Sequence, residues 1–114
     1  MACRSQPPEP AAAADAQVLR QLKEAGSDLT KPHAVEFFLY LPTEIGARAA
    51  AEELTARSYD TKIDQAATGD QWLCLATRSF VPTQEAIDAT RAEFEALATR
   101  LAGEYDGWGT PVVK

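Results

Sequence analysis

Two stretches, one starting at Tyr40 and the other at Phe80, repeat a single pattern. Tyr40-Leu41-Pro42-Thr43-Glu44 and Phe80-Val81-Pro82-Thr83-Gln84 each run aromatic, aliphatic, Pro, Thr, then Glu or Gln. Proline brings no N–H to a sheet ladder and so ends an extended run. Thr followed by an acid or amide is the chemistry of a helix N-terminus. Each stretch therefore predicts a strand-to-helix corner, and two matching corners confine the chain to two similar strand–helix halves. The same offset aligns Leu54 with Phe94 as one core contact in each half.

Periodicity fills in the halves. From Ala34 to Leu41, Val35, Phe37, Leu39 and Leu41 alternate with Glu36, Phe38 and Tyr40, as in a strand with two unlike faces. Ala47, Ala50, Ala51 and Leu54 then recur at helical spacing to about Arg57. Tyr59, Thr61 and Ile63 alternate with Asp60, Lys62 and Asp64, and the turn Ala67-Thr68-Gly69-Asp70 leads into a third strand from about Gln71 to Val81. Ile87, Thr90, Phe94, Leu97, Ala98 and Leu101 form the stripe of the longest helix, which Gly103 ends, and Glu104 to Val113 reads as a Gly-interrupted edge strand. The order β-α-β-β-α-β predicts an α+β, ferredoxin-like fold: an antiparallel sheet with two main helices on one face. An extra N-terminal helix precedes it, capped by Asp15, carrying Val18, Leu22 and Ala25 on one stripe and ended by Gly26. Residues 1–13, rich in Pro and Ala and without periodicity, predict a disordered tail, leaving 14–114 as a single domain.

At 114 residues the chain suits a two-layer core but not a large enzyme cleft. Its apolar runs are far shorter than the ~20 residues that cross a bilayer. The start, Met1 to Pro10, lacks the apolar stretch of a secretory signal. Cys3 and Cys74, one in the tail and one in a strand, fit a reducing compartment, so a cytoplasmic location is expected and a disulfide is not. Flanked by Leu73 and Leu75, Cys74 reads as a small buried hydrophobe.

No catalytic site is expected. His33, with Glu36 and Asp28 near it in sequence, has the composition of a general base, but no nucleophile in a recognisable setting or oxyanion loop accompanies it. It reads as a loop histidine bonded to backbone. One His and two distant Cys do not make a zinc site, and Gly103, Gly107 and Gly109 do not lie between a strand and a helix start, as a phosphate loop requires. No metal or cofactor is therefore expected. Residues 1–33 balance in charge, so the net charge of −6 belongs to the body of the domain. An acidic body opposes direct nucleic-acid binding and is compatible with a basic protein partner.

The aromatics are more informative. On the strand faces opposite the main core, Phe38 and Tyr40 are expected to align with Trp72, Cys74 and Ala76 as an apolar strip. RNA-recognition modules stack bases on such a strip, but their basic residues are missing here. Either the N-terminal helix covers the strip through Val18, Leu19 and Leu22, or part of it, or the Trp108 edge, docks a partner.

Three blocks carry a resemblance: Gly26-Ser27-Asp28, the run from Lys31 to Tyr40, and above all Glu104-Tyr105-Asp106-Gly107-Trp108-Gly109-Thr110. Together, over roughly residues 15–110, they resemble the family of regulator of ribonuclease E activity B, an inhibitor of that endoribonuclease in bacteria. The resemblance implies a ferredoxin-like domain in the cytoplasm that regulates RNA turnover by binding a protein. It makes Tyr105, Asp106 and Trp108 a candidate protein-binding surface beside the pattern-based set Phe38, Tyr40 and Trp72, although aromatics beside glycines in a terminal strand also serve to plug a core. A different class remains open: a small-ligand-sensing dimer in which two sheets of this fold pair.

Overall fold

The computed structural model of the chain describes residues 10–67 and 69–114. In chain order the elements are α1 (Pro10–Glu24), β1 (His33–Leu41), α2 (Glu44–Ala56), β2 (Asp60–Gln65), β3 (Trp72–Phe80), α3 (Gln84–Arg100) and β4 (Glu104–Gly109). The four strands make one sheet in the order β2-β3-β1-β4, antiparallel at every pairing. Each strand–helix–strand half thus leaves a gap between its two strands, and the other half fills it: β3 lies between β1 and β2, and β1 between β3 and β4.

The two corners match in detail. The hydroxyl of Thr43 accepts the Gly46 N–H at 3.0 Å and that of Thr83 accepts the Ala86 N–H at 3.0 Å, each from an extended backbone. Each thus satisfies one of the N–H groups that the first turn of a helix leaves over. The helix ends match as well. After α1, the N–H of Gly26 reaches the Lys23 carbonyl and that of Ser27 the Leu22 carbonyl, the paired bonds of a left-handed helix stop. Ser58 and Ala102 take the left-handed position after α2 and α3, at φ 73° and 57°. Glycine was expected to perform this stop after α3; it falls one residue later because Gly103 has another task. A Cβ on Gly103 would collide with the Tyr40 carbonyl oxygen and lie 2.6 Å from Leu41 Cδ1, so only glycine lets the chain pass β1 there.

The core is single and lies between the sheet and helices α2 and α3. Val35, Phe37, Leu39 and Leu41 are fully buried and meet Ala47, Ala50 and Leu54 of α2 and Ile87, Phe94 and Leu97 of α3. Leu54 and Phe94 occupy it together, as the repeat requires. Phe37 stacks on Phe94 with centroids 4.7 Å apart, and Tyr59 meets both rings edge-on.

Three expectations are corrected. Residues 10–13 of the expected tail are helical, so Asp15 sits inside α1 instead of capping it; residues 1–9 lie outside the described residues. Helix α1 packs on α3, and its Leu19 and Leu22 are buried there instead of over the sheet. Trp72, Cys74 and Ala76 are on the face that carries Leu41, Leu39 and Phe37, their cross-strand partners, and not on that of Phe38 and Tyr40. The cause is the composition of β3, which is apolar in both parities, so that periodicity does not choose its face: the register on β1 sets Cys74 and Ala76 opposite Leu39 and Phe37, and the leucines turn outward.

Thr43→Ala and Thr83→Ala are each expected to cost about 1 kcal/mol, the usual value of a lost cap. Gly103→Ala is expected to cost about 2–3 kcal/mol through forced overlap with β1. Urea unfolding of the three variants checks this, and a Gly103→Ala protein as stable as the parent refutes the close approach.

Candidate functional site

Two regions gather the residues singled out by sequence, one tied into the fold and one left open. The first is built on β4. Opposite β1, Tyr105 pairs with Leu39, Gly107 with Phe38 and Trp108 with Phe37, and the register shifts between Phe38 and Leu39. Asp106 is the extra residue of this β-bulge, and Gly107 supports it at φ 116°. A regular strand would put Tyr105 and Trp108 on opposite faces. The bulge puts both on the core face, where they pack against the cluster described above.

Trp108 is held there from the far end of the chain. Its indole Nε1 donates to Asp15 Oδ1 at 2.8 Å, and Arg91 Nε donates to Asp15 Oδ2 at 2.9 Å. Arg91 also binds Asp88 at 3.1 Å and lies 3.5 Å from Glu95. Burial works against the Arg91 charge, but its bonds to Asp15 and Asp88 outweigh this and leave its pKa above the ordinary value. One carboxylate thus joins α1, α3 and β4. Sequence reasoning missed this role, although the signal was there: Asp15 is on the stripe of Leu19 and Leu22, an acid in a buried position.

The other blocks are also ties. His33 is fully buried, its Nδ1–H donating to the Lys31 carbonyl at 2.8 Å while Nε2 meets the Ser27 hydroxyl at 2.6 Å. Ser27 Oγ accepts the Val113 N–H at 3.0 Å, and the Val113 carbonyl accepts the Asp28 N–H at 2.6 Å. Thr110 Oγ1 donates to the Ala34 carbonyl at 2.9 Å. With no exposed surface, His33 is bonded to backbone through Lys31 as expected, but it opens β1 instead of lying in a loop, and its second bond is to the Ser27 side chain.

The second region is the sheet face opposite the helices. Cross-strand partners define three rows: Asp60, Thr77, Glu36 and Gly109; then Lys62, Leu75, Phe38 and Gly107; then Asp64, Leu73, Tyr40 and Glu104. At its centre Phe38, Tyr40, Leu73 and Leu75 form a half-buried apolar block over which no described helix packs. Of the six candidate residues, Phe38 and Tyr40 are here and Asp106 is exposed beside them. Trp72, Tyr105 and Trp108 belong to the helix-covered side. Leu73 and Leu75, which complete the block, were not among the candidates.

At the end of the sheet an open hollow of about 750 Å³ is lined by Tyr40, Ile63, Asp64, Trp72 and Leu73, and a smaller one of about 240 Å³ joins Tyr40 to Gln71, Glu104 and Asp106. Neither brings a base to a nucleophile. Burial pushes the Cys74 thiol up to about 11, far from a reactive thiolate. No group of three His, Cys, Asp or Glu among the described residues is placed to hold a metal ion, and no described helix is long and apolar enough to cross a membrane.

Among the described residues, fold and site together define a small α+β domain with a four-stranded antiparallel sheet, three helices and an apolar block on the face that no described helix covers. The family model of regulator of ribonuclease activity B matches residues 12–110, nearly the whole chain, and the chain belongs to that family. No curated protein matches it.

Removing the shared carboxylate with Asp15→Ala is expected to cost about 2–3 kcal/mol, below the full loss for a broken buried pair because Arg91 keeps Asp88 and Glu95. Trp108→Phe loses one hydrogen bond and is expected to cost about 1 kcal/mol more than its packing change alone. A double-mutant cycle in which the two effects simply add would show that they do not act through one bond.

A pH effect follows from the thiol and the phenols. Burial raises Cys74 from 9.0 to about 11 and also raises Tyr59 and Tyr105, whose ordinary value is 10.0. The folded state therefore holds these protons more tightly than the unfolded state, so stability is full below pH 9 and declines above it. Cys74→Ala should remove a share on the order of 2 kcal/mol from that decline between pH 9 and about 11. An unchanged slope, measured by urea unfolding at successive pH values, would rule out the thiol as its source.

Proposed function

We propose that the protein is a non-catalytic regulator that binds a ribonuclease of the ribonuclease E type and restrains its action on RNA. The observation that carries this reading is the apolar block of Phe38, Tyr40, Leu73 and Leu75, over which no described helix packs, in a member of a family described by its regulation of ribonuclease activity. Such a block beside carboxylates is suited to contact and has no means of turnover. His33 and Cys74 are closed into the fold, and the acidic body repels RNA, so the reading works through the enzyme and not its substrate. On this proposal the sheet is ferredoxin-like, the domain works in the bacterial cytoplasm without a cofactor, and the binding surface includes Phe38, Tyr40 and Asp106. Trp72, Tyr105 and Trp108 contribute to it from behind, by fixing the sheet on which those residues stand.

Adding the purified protein to a ribonuclease of this type is expected to slow cleavage of a structured RNA in proportion to complex formed, while the protein alone neither retains nor cuts that RNA. Cleavage that continues unchanged at a large molar excess of the protein, or a shift of the RNA by the protein alone, overturns the proposal.

A further inference from the structure

We infer that the uncovered sheet face docks a basic, amphipathic helix supplied by a protein partner. The inference deepens the proposed function and rests on its protein-binding element, but not on the partner's being a nuclease.

The first support is where the large residues go. The core-facing positions of strand β3 hold Cys74 and Ala76 at its centre, between Trp72 and Phe80, while Leu73 and Leu75 face away from the helices. They join Phe38 and Tyr40 from β1 into one block, whereas an exposed face normally alternates to polar residues. On the β4 side Gly107 and Gly109 are the neighbours of Phe38 and Glu36, so no side chain from that edge covers them.

Charge identifies the occupant. The two outer rows carry Asp60, Glu36, Asp64 and Glu104, and the middle row carries Lys62, so the face has four carboxylates against one ammonium group. A second copy would bring an equally acidic frame against the first, and a nucleic acid or an anionic membrane would be repelled in the same way. A cationic segment gains from the frame while its apolar side covers the block. Spacing favours a helix: alternate residues of one strand, such as Leu73 and Leu75, stand about 7 Å apart, and apolar residues at i and i+4 on a helix stand about 6 Å apart. A helix with apolar anchors at that interval and Lys or Arg on its flanks thus meets leucines below and carboxylates on both sides.

The test is a selection of random peptides displayed against the folded full-length protein, with the enriched peptides then mapped by amide NMR shifts. Enriched peptides are expected to be cationic, with apolar residues at helical spacing, and to shift Phe38, Leu73 and Leu75. Leu75→Gln, and separately the paired change Asp64→Lys with Glu104→Lys, should each weaken their binding about tenfold or more, and added salt should weaken it further. Both proteins would first be checked for a parental unfolding midpoint, and the charge pair alters only exposed positions should the leucine change unfold the chain. Neutral or acidic winners, no enrichment, binding unaffected by either variant, or a dimer of the parent that Leu75→Gln dissolves would each overturn the inference. A nuclease restrained by the protein but untouched by these variants would leave the proposed function standing and remove this surface. Cationic peptides bound here with no nuclease affected would do the reverse.

Discussion

Strand β1 is hydrogen-bonded along both edges, to β3 on one side and β4 on the other, so its pleat sets the facing of the whole sheet. Val35, Phe37, Leu39 and Leu41 are fully buried, and moving the strand by one residue would put Glu36 and Tyr40 in their place beneath α2 and α3. Such a slip exchanges every side chain between the faces and is therefore heavily disfavoured. Once β1 is fixed, antiparallel pairing dictates the rest. Cys74 and Ala76 must join Leu39 and Phe37, and Leu73 and Leu75 must join Tyr40 and Phe38. The open block is thus as strictly specified as the core, because the same strand specifies both.

The blocks by which the chain resembles its family turn out to fasten the ends of the domain. Ser27 and Asp28 hold Val113, His33 holds Ser27 and Lys31, Thr110 holds Ala34, and Trp108 reaches Asp15 across most of the chain's length. An edge strand of six residues with two glycines gains little from its own ladder, so these side-chain bonds and the bulge are what seat it. A motif dense in aromatics and glycines invites reading as a contact surface. Here the bulge directs Tyr105 and Trp108 toward the helix-covered face, where they pack against the core.

How much of this was legible in the sequence depends on how many residues carried each signal. The corners at Pro42 and Pro82 were legible because proline, threonine and an acid or amide agree on one geometry, and because the pattern occurs twice. The stripe of α3 was legible for the same reason, each member of Ile87, Thr90, Phe94, Leu97 and Ala98 supporting the next. The facing of β3 was not: Trp72-Leu73-Cys74-Leu75-Ala76 is apolar in both parities, and only its register on β1 places Cys74 and Ala76 inside. The bulge was hidden as well, since the single residue Asp106 that reverses parity has no periodicity of its own. Asp15 resembles a helix start because acids favour that position, and its partner, Arg91, lies too far along the chain for local pattern to find.

The bulge and the facing of β3 bear on function in opposite directions. The bulge turns Tyr105 and Trp108, both still partly exposed, to the helix-covered face, and the facing of β3 places Leu73 and Leu75 on the opposite one. The exchange concentrates apolar area on one face whose outer rows are acidic, and it leaves the glycines of β4 as a low margin beside Phe38. On the proposed function, contact with another protein draws on that combination: apolar area for affinity and charge to select the partner's sign. The bonds from Asp15 to Trp108, from Ser27 to Val113 and from Thr110 to Ala34 tie the last strand and the residues after it to α1, the loop after it and β1, while no described helix packs over the opposite face of the sheet.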